Sequence, residues 1–254
     1  MLRSMIIAFS TYSKIPMPRI QWEEKSMRYS MCFFPVVGLV IGLCSLGVFY
    51  GMTALGFGGT ARAAVLTALP LLISGGIHMD GFLDTMDAKS SYRSREEKLE
   101  ILKDPHAGAF AIICGGVYLL LSFGLFTEVG ETEIVFLALG YAYSRSLSGF
   151  SVVTLKKAKK EGMVAATAEA SEKNVKWILL AEIIFCGLGY LYLDLLLGMI
   201  CILVGLLVFF YYREMSGRIF GGITGDLAGY FLQMCEFFLL LGVVLTAKVG
   251  AIIF

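Results

Sequence analysis

Three aspartates with a helical spacing are the residues of this sequence best suited to chemistry. Asp80, Asp84 and Asp87 stand at positions i, i+4 and i+7 of the segment GGIHMDGFLDTMDA. On a helix this spacing puts three carboxylates on one face, where they repel one another unless a cation lies between them. Mg²⁺ favours carboxylate oxygens, and substrate phosphates usually complete its shell. The spacing predicts a Mg²⁺ site for a phosphorylated substrate, and a solvated helix end is the alternative.

The residues around these aspartates extend the candidate site. His78 precedes them and lies off their face, so a structural and a catalytic role are both open. Asp104 comes before Pro105, and this order predicts the N-cap of the next long helix or a further carboxylate of the site. Lys103 and His106 flank that helix start, where backbone N–H groups and the helix dipole suit a phosphate.

A short helix is predicted between Asp87 and Asp104. Ser94 and Glu97 have the spacing of a capping box, in which the serine accepts a hydrogen bond from the backbone at Glu97 and the glutamate returns one. Pro105 ends the segment that follows. Residues 78–106 are therefore expected to form an acidic loop and helix.

Two distant positions are expected to join the same site. Arg145 lies within the apolar segment YAYSRSLSG, where an arginine costs about 2.5–3.5 kcal/mol on insertion scales. It is predicted to face an aspartate or a substrate anion, with snorkelling as the alternative. Asp226 lies in the glycine-rich segment GRIFGGITGDLAG, which is predicted to bring it to the same membrane face as Asp80.

The composition requires that the elements positioning these residues be membrane helices. Of 254 residues, 57% are hydrophobic and 16% are charged, which excludes a soluble globule and a disordered chain. The six cysteines are scattered singly, so a disulfide scaffold is excluded too. A polytopic membrane protein remains.

Seven apolar stretches approach the length of about 20 residues that a helix needs to cross a bilayer. The predicted class is an all-α integral membrane protein with about seven transmembrane helices in a single domain, residues 1–254. Residues 1–30 are predicted to form an interfacial or re-entrant segment, and residues 213–226 a cytoplasmic glycine-rich loop. The predicted spans are 32–50, 63–79, 107–126, 134–153, 175–193, 195–212 and 227–247, with Asp194 dividing the fifth from the sixth.

The distribution of basic residues predicts the orientation. Alternate loops carry 18 Lys and Arg on one side against 2 on the other, and cytoplasmic loops collect positive charge. The N-terminus is therefore predicted to be cytoplasmic. The acidic positions then all lie at the cytoplasmic edge.

The motifs together resemble a known family. GGIHMDGFLDTMDA followed by LEILKDPHAGAF is similar to the signature of the cobalamin synthases, also called adenosylcobinamide-GDP ribazoletransferases. SKIPMP, FFPVVGLVIG, Arg145 and GGITGDLAG follow in the order of the family, so the resemblance covers most of the chain. The sequence departs from the family pattern at Lys14, where arginine is more usual, at Ala88, and at Pro105-His106.

The resemblance implies an activity. α-Ribazole, or its 5′-phosphate, would displace GMP from adenosylcobinamide-GDP, in the last assembly step of the nucleotide loop in vitamin B12 synthesis. It also implies Mg²⁺ dependence and a multi-pass protein of the bacterial or archaeal cytoplasmic membrane, with its active site facing the cytoplasm. The expected partners are these small molecules and the bilayer, not nucleic acid; an oligomer or a complex with other cobalamin-assembly enzymes is left open.

Roles follow for the candidate residues. Asp80, Asp84 and Asp87 would hold Mg²⁺ on the diphosphate, and Asp104 would contribute or orient. Asp226 or His78 would take the proton of a ribose hydroxyl, so the candidate catalytic residues are Asp84, Asp226 and His78. The residues expected to bind substrate phosphate are Arg145, Lys103, His106, Lys14 and Arg19.

Three other functions use similar residues. A prenyltransferase would carry a second clear D-x-x-x-D motif, and a CDP-alcohol phosphotransferase would carry D-G-x-x-A-R, whereas here Asp80-Gly81 leads into Phe82-Leu83-Asp84. A cation-coupled transporter would place ionisable residues near the bilayer midplane in several spans. In this sequence, Arg145 is the one ionisable residue predicted to lie deep within a span.

Overall fold

The computed structural model describes residues 1–159 and 161–253, and nearly all of its regular structure is helical. A 3₁₀ turn, Ser30–Phe33, precedes α3, and a π-helical turn, Ser216–Phe220, follows α11. The α-helices are α1 (Leu2–Tyr12), α2 (Glu24–Met27), α3 (Phe34–Ala54), α4 (Gly59–Ser74), α5 (Ile77–Ser90), α6 (Arg95–Ile101), α7 (Ala109–Thr127), α8 (Glu131–Thr154), α9 (Met163–Ala170), α10 (Val175–Leu193), α11 (Leu195–Met215) and α12 (Gly225–Ile253).

A helix lies at each of the seven predicted spans. The division at Asp194 is confirmed, because this residue has an extended backbone between α10 and α11 and its carboxylate accepts a hydrogen bond from the Leu197 N–H at 2.8 Å. The carboxylate therefore caps α11. The predicted loop 213–226 is shorter than expected, because α11 and the π-helical turn continue to Phe220.

The structure confirms an all-α integral membrane protein. Five helical stretches of the described chain are long and apolar enough to cross a bilayer: Lys25–Ala54, Ala109–Thr127, Val175–Leu193, Leu195–Phe220 and Gly225–Gly250. A sixth arises only if α4 and α5, which are bent by 95° from each other, count as one span. Seven crossings and the orientation stay predictions. At eleven residues, or about 16 Å, α1 is too short to cross, as expected of an interfacial segment.

The remaining long helix, α8, is the centre of the bundle. It packs against α3, α10, α11 and α12, and sixteen of its 24 residues are buried. Three of its buried serines, Ser144, Ser146 and Ser151, donate to carbonyls within the helix; the Ser146 hydroxyl, for example, donates to the carbonyl of Ala142 at 2.9 Å. Because other helices cover it, α8 does not need the apolar surface that a lipid-facing span requires.

Glycines allow α3 and α8 to pack in close contact. Gly38 and Gly42 of α3 lie directly against the carbonyls of Tyr141 and Ala138 of α8, with no space for a Cβ atom at either glycine. Small residues four apart are a usual means of close packing between membrane helices. This contact fixes α8, and with it the depth at which Arg145 lies.

Candidate functional site

The helix that carries the three aspartates begins at a sharp turn. Gly75 and Gly76 have positive φ angles of 67° and 79°, a backbone conformation that glycine adopts most easily. They let α5 leave the direction of α4 by 95°. The structure confirms that Asp80, Asp84 and Asp87 lie on a single helix.

A second glycine pair, residues 221–222, precedes α12 and also has positive φ angles. α5 and α12 then touch backbone to backbone. A Cβ at Gly81 would lie 2.7 Å from the carbonyl oxygen of Asp226, and one at Gly229 would lie 2.9 Å from that of His78. As expected, Asp226 thus lies beside the acidic helix, although 145 positions separate it from Gly81.

Asp84 lies where the carboxylates converge. Burial raises its pKa, and the charges of Asp80, Asp226, Asp87 and Asp104 raise it further, to about 7. In the described chain, no three Asp, Glu, His or Cys side chains are grouped closely enough to hold a metal ion by themselves. A Mg²⁺ ion here would need substrate phosphate oxygens or water in its shell, which is its usual mode of binding.

Asp87 stabilises the start of the next long helix. Its carboxylate accepts hydrogen bonds from the backbone N–H groups of Gly108, at 2.6 Å, and Ala111, at 2.9 Å. Both groups lie at the start of α7, so Asp87 of α5 caps that helix from a distance. Two of the N–H groups that were predicted to suit a substrate phosphate are therefore already hydrogen-bonded to a carboxylate of the chain.

Asp104 does not cap α7, so the first of its two predicted roles is wrong. Helix α7 begins after Gly108, and Asp104 instead accepts hydrogen bonds from the backbone N–H and the ring of His106, at 3.0 and 2.8 Å. These hydrogen bonds lower the pKa of the exposed Asp104 carboxyl. Asp104 and His106 therefore pair with each other in an exposed turn.

A cavity of about 290 Å³ opens between the start of α12 and the acidic helix, and we call it the inner cavity. One side is charged and another is apolar, formed by residues such as Phe34 and Leu232. Its polar and titratable lining residues are Tyr12, His78, Asp80, Lys103, Ser148, Lys157, Lys159, Glu161, Thr224 and Asp226. The structure thus brings Asp80, Asp226, His78 and Lys103 together, as predicted.

Two of the cavity lysines were missed as site residues. Lys157 and Lys159 belong to the run KKAKK, which served only to indicate orientation. Backbone hydrogen bonds of 2.8 and 2.9 Å join Lys156 and Ala158 to Ile223, and hold this loop beside the start of α12. Burial and the nearby charge of Lys103 lower the pKa of Lys159. A signal was available, since this lysine run and GGITGD both border predicted cytoplasmic loops.

His78 lies in an aromatic environment. Its side chain is buried between Tyr12 and Phe34, with ring centroids 6.2 and 5.7 Å away. Its Nε2 atom has no hydrogen-bond partner within the described residues. The ring is therefore positioned by aromatic packing and not by a hydrogen bond at Nε2.

The remaining basic candidates differ in position. Lys103 lines the inner cavity and forms an ion pair with Glu100 at 2.7 Å. The stem of Lys14 lies over Gly75, at the bend between α4 and α5. Arg19 is exposed. Neither Lys14 nor Arg19 belongs to the lining of the inner cavity.

Arg145 has a carboxylate partner within the bundle. It donates a hydrogen bond of 2.6 Å to Glu236 of α12, and the two side chains are only 2% and 10% exposed. Arg145 also donates to the Tyr141 carbonyl at 3.0 Å, and Ser144 donates to Glu236 at 3.2 Å. The expected partner, an aspartate or a substrate anion, is thus replaced by a glutamate of the chain.

The helices and their apolar surfaces define the class of all-α integral membrane proteins, and carboxylates and lysines line one cavity of this example. Within that class, the family described as cobalamin-5-phosphate synthase matches residues 4–244. The chain belongs to this family.

Curated relatives agree with this assignment. A protein of Lachnoclostridium phytofermentans, named adenosylcobinamide-GDP ribazoletransferase, is 47% identical over 100% of this chain and 97% of its own length. Proteins of the same name from Desulfitobacterium hafniense and Clostridium perfringens are 32% and 31% identical, each over 95% of this chain and 96% and 98% of their own lengths. No solved structure matches the chain.

Proposed function

We propose that this protein joins α-ribazole, or its 5′-phosphate, to adenosylcobinamide-GDP with release of GMP. The product is adenosylcobalamin or its 5′-phosphate, and the step assembles the nucleotide loop of vitamin B12. Family membership and the names of full-length relatives support this activity. The structural observation that carries it is the lining of one cavity by Asp80, Asp226 and three lysines.

The bond changes require a proton acceptor. A ribose hydroxyl of the acceptor attacks the phosphorus that bears the cobinamide, the new P–O bond forms, and the P–O bond to GMP breaks with its electron pair on GMP. We assign the hydroxyl proton to Asp226, which is partly exposed in the inner cavity and is contacted by the Thr224 hydroxyl at 3.4 Å. His78 is the weaker candidate, because its ring is buried between Tyr12 and Phe34.

Asp80 and Asp84 are the proposed Mg²⁺ ligands. Both are carboxylates, the ligand type that Mg²⁺ favours. Burial raises the pKa of Asp84, and the neighbouring carboxylates raise it further by a repulsion that a cation would relieve. Asp87 and Asp104 fit less well, because each already accepts two hydrogen bonds. When bound, Mg²⁺ would polarise the diphosphate and neutralise the charge that develops on it.

The lysines and the shape of the site suggest how the two substrates are arranged. A wide groove of about 1120 Å³, which we call the outer groove, runs along α6 and shares Lys103 and Lys159 with the inner cavity. The inner cavity is of nucleoside size, whereas a corrinoid is far larger. We therefore assign the α-ribazole to the inner cavity, the corrinoid to the outer groove, and the diphosphate to the two shared lysines.

The site is proposed to face the cytoplasm. The supporting observation is the excess of basic residues in the loops on the side of α5 and α6, 18 against 2. A cytoplasmic site would receive the nucleotide-bearing substrate directly.

The activity is tested with the full chain purified into nanodiscs. Adenosylcobinamide-GDP, α-ribazole and Mg²⁺ are supplied, and both GMP and the cobalamin product are measured. We expect equal amounts of the two products, and a fall of at least about 100-fold for Asp84→Asn, because the substitution removes a ligand charge at the diphosphate.

Asp194→Asn is the matched control. It removes a carboxylate charge outside the site, and asparagine still caps a helix well, so activity should stay unchanged. Near-normal turnover of Asp84→Asn at saturating Mg²⁺ would contradict the proposed metal site. Absence of GMP release from the unaltered protein would contradict the proposed function.

A further inference from the structure

An apolar groove of about 470 Å³ lies on the outer surface of α11 and α12, and we call it the lipid groove. Val204, Leu207, Val208 and Tyr211 repeat at helical spacing and line its α11 side, over a length of about 10 Å. Met234 and Phe238 line its α12 side. Leu207 is 59% exposed. The shape and chemistry of this surface suit a segment of an acyl chain.

A cation lies at one end of the lipid groove. Tyr211, whose ring lines the groove, accepts a hydrogen bond from Lys89 Nζ at 2.5 Å. Lys89 also donates to the Tyr230 hydroxyl at 3.4 Å, and its ammonium group lies 5.2 and 5.6 Å from the two ring centroids. The groove is thus apolar along its length and cationic at one end.

Lys89 does not serve the acidic site. It follows Asp80 by nine residues on α5, which turns it to about the opposite side of the helix. Its hydrogen bonds are with the two phenols, and no ion pair of Lys89 with a carboxylate occurs in the described ranges 1–159 and 161–253. The positive charge is therefore available to an anion that comes from the membrane side.

We propose that the lipid groove binds an anionic phospholipid. One acyl chain would lie along α11 between Val204 and Tyr211. The headgroup phosphate would accept hydrogen bonds from Lys89 and from the hydroxyl of Tyr211. A net negative headgroup leaves one charge for the lysine to neutralise, whereas the positive group of a zwitterionic lipid already offsets its phosphate.

The lipid would also act on the position of the acidic helix. The hydroxyl of Tyr230, like that of Tyr211, accepts a hydrogen bond from Lys89. The Tyr230 ring stacks on Phe82 of α5, with ring centroids 5.8 Å apart and ring planes 8° from parallel. Phe82 lies between Asp80 and Asp84 in the sequence. Lys89 directly, and Phe82 through Tyr230, thus connect α5 to the cationic end of the lipid groove.

The test is a lipid competition on the full chain. The protein is exchanged into detergent with equal amounts of phosphatidylglycerol and phosphatidylcholine of identical chains, and retained lipid is counted by native mass spectrometry. We expect a preference for phosphatidylglycerol that falls about fivefold in Lys89→Gln, since one lysine near an anionic surface contributes about that factor. Lys89→Arg should keep most of the preference.

Arg213→Gln is the control, because Arg213 is exposed near the same end of α11 but does not line the groove. It should keep the preference. Three results would overturn the proposal: equal retention of both lipids by the unaltered protein, an unchanged preference in Lys89→Gln, or an equal fall in Lys89→Gln and Arg213→Gln, which would indicate attraction by the whole basic surface. None of these readouts depends on ribazole transfer, so a failure here is separable from a failure of the proposed function.

Discussion

The protein has two charged regions, and they differ in whether the charges are paired within the chain. Deep in the bundle, Arg145 and Glu236 neutralise each other at 2.6 Å and are almost inaccessible to solvent. Beside the inner cavity, Asp80, Asp84 and Asp226 lie close together, and none of them forms an ion pair within the described chain.

The difference separates charges that serve the fold from charges that serve a ligand. An unpaired charge inside a protein costs several kcal/mol, so a buried arginine requires a partner if the fold is to form. Near an open cavity, water solvates a carboxylate, and the charge remains available to a substrate or a cation. We therefore exclude Arg145 from the proposed phosphate contacts and keep Lys103 and Lys159.

The largest effect is expected at the cavity, from Asp226→Asn. The amide has almost the same shape but cannot take a proton, and loss of a general base lowers rates by about 10²–10⁴-fold. GMP release measures this, and the unfolding temperature should not change. A decrease of only a few-fold would assign the proton to another group, with His78 the first to examine.

A substitution in the Arg145–Glu236 pair should instead lower the stability of the fold. Glu236→Gln leaves the Arg145 charge uncompensated, and breaking a buried pair costs about 3–5 kcal/mol of unfolding free energy. Thermal unfolding in detergent measures this. The double substitution Arg145→Met with Glu236→Leu should recover most of the stability, because no charge is then buried alone. Undiminished stability of Glu236→Gln would mean that the two regions do not differ as described.

A smaller effect is expected for Lys159→Gln. Hydrogen bonds to charged groups contribute about 1.5–3 kcal/mol, so the KM for adenosylcobinamide-GDP should rise about tenfold or more. kcat should change little if the lysine binds the substrate diphosphate in ground and transition states alike. The exposed Lys173→Gln is the control. An equal rise in both variants would point to general attraction by the basic loop.

The smallest effect concerns Asp87, the one aspartate of α5 that serves the fold. Asp87→Ala removes a cap from α7 and should lower the unfolding free energy by about 1 kcal/mol. Asp87→Asn should lower it less, because an acceptor oxygen remains. The Mg²⁺ concentration for half-maximal activity should stay the same in both. A marked increase would return Asp87 to the metal ligands.

The sequence predicted the features that depend on neighbouring residues. The helix that carries Asp80, Asp84 and Asp87, the capping box at Ser94, and the division at Asp194 all rest on patterns of a few positions, and the structure confirms each of them.

The features that escaped prediction join distant segments. Glu236 follows Arg145 by 91 positions and Gly108 follows Asp87 by 21, and neither spacing carries a periodic signal. Lys159 was misjudged for another reason. Its loop has a composition typical of an orientation signal, whereas the hydrogen bonds of Lys156 and Ala158 to Ile223, and of Lys159 Nζ to the Leu99 carbonyl, hold it at the cavity.

The hydrogen bonds of Asp87 have a consequence for how the protein can vary. The start of α7 is held by a side chain of α5 and not by the residues 91–107 that join the two helices. The length of this connection is therefore decoupled from the alignment of α5 with α7. Insertions and deletions between Ser91 and Gly108 should be tolerated by the bundle, and they would change the shape of the outer groove, which runs along α6.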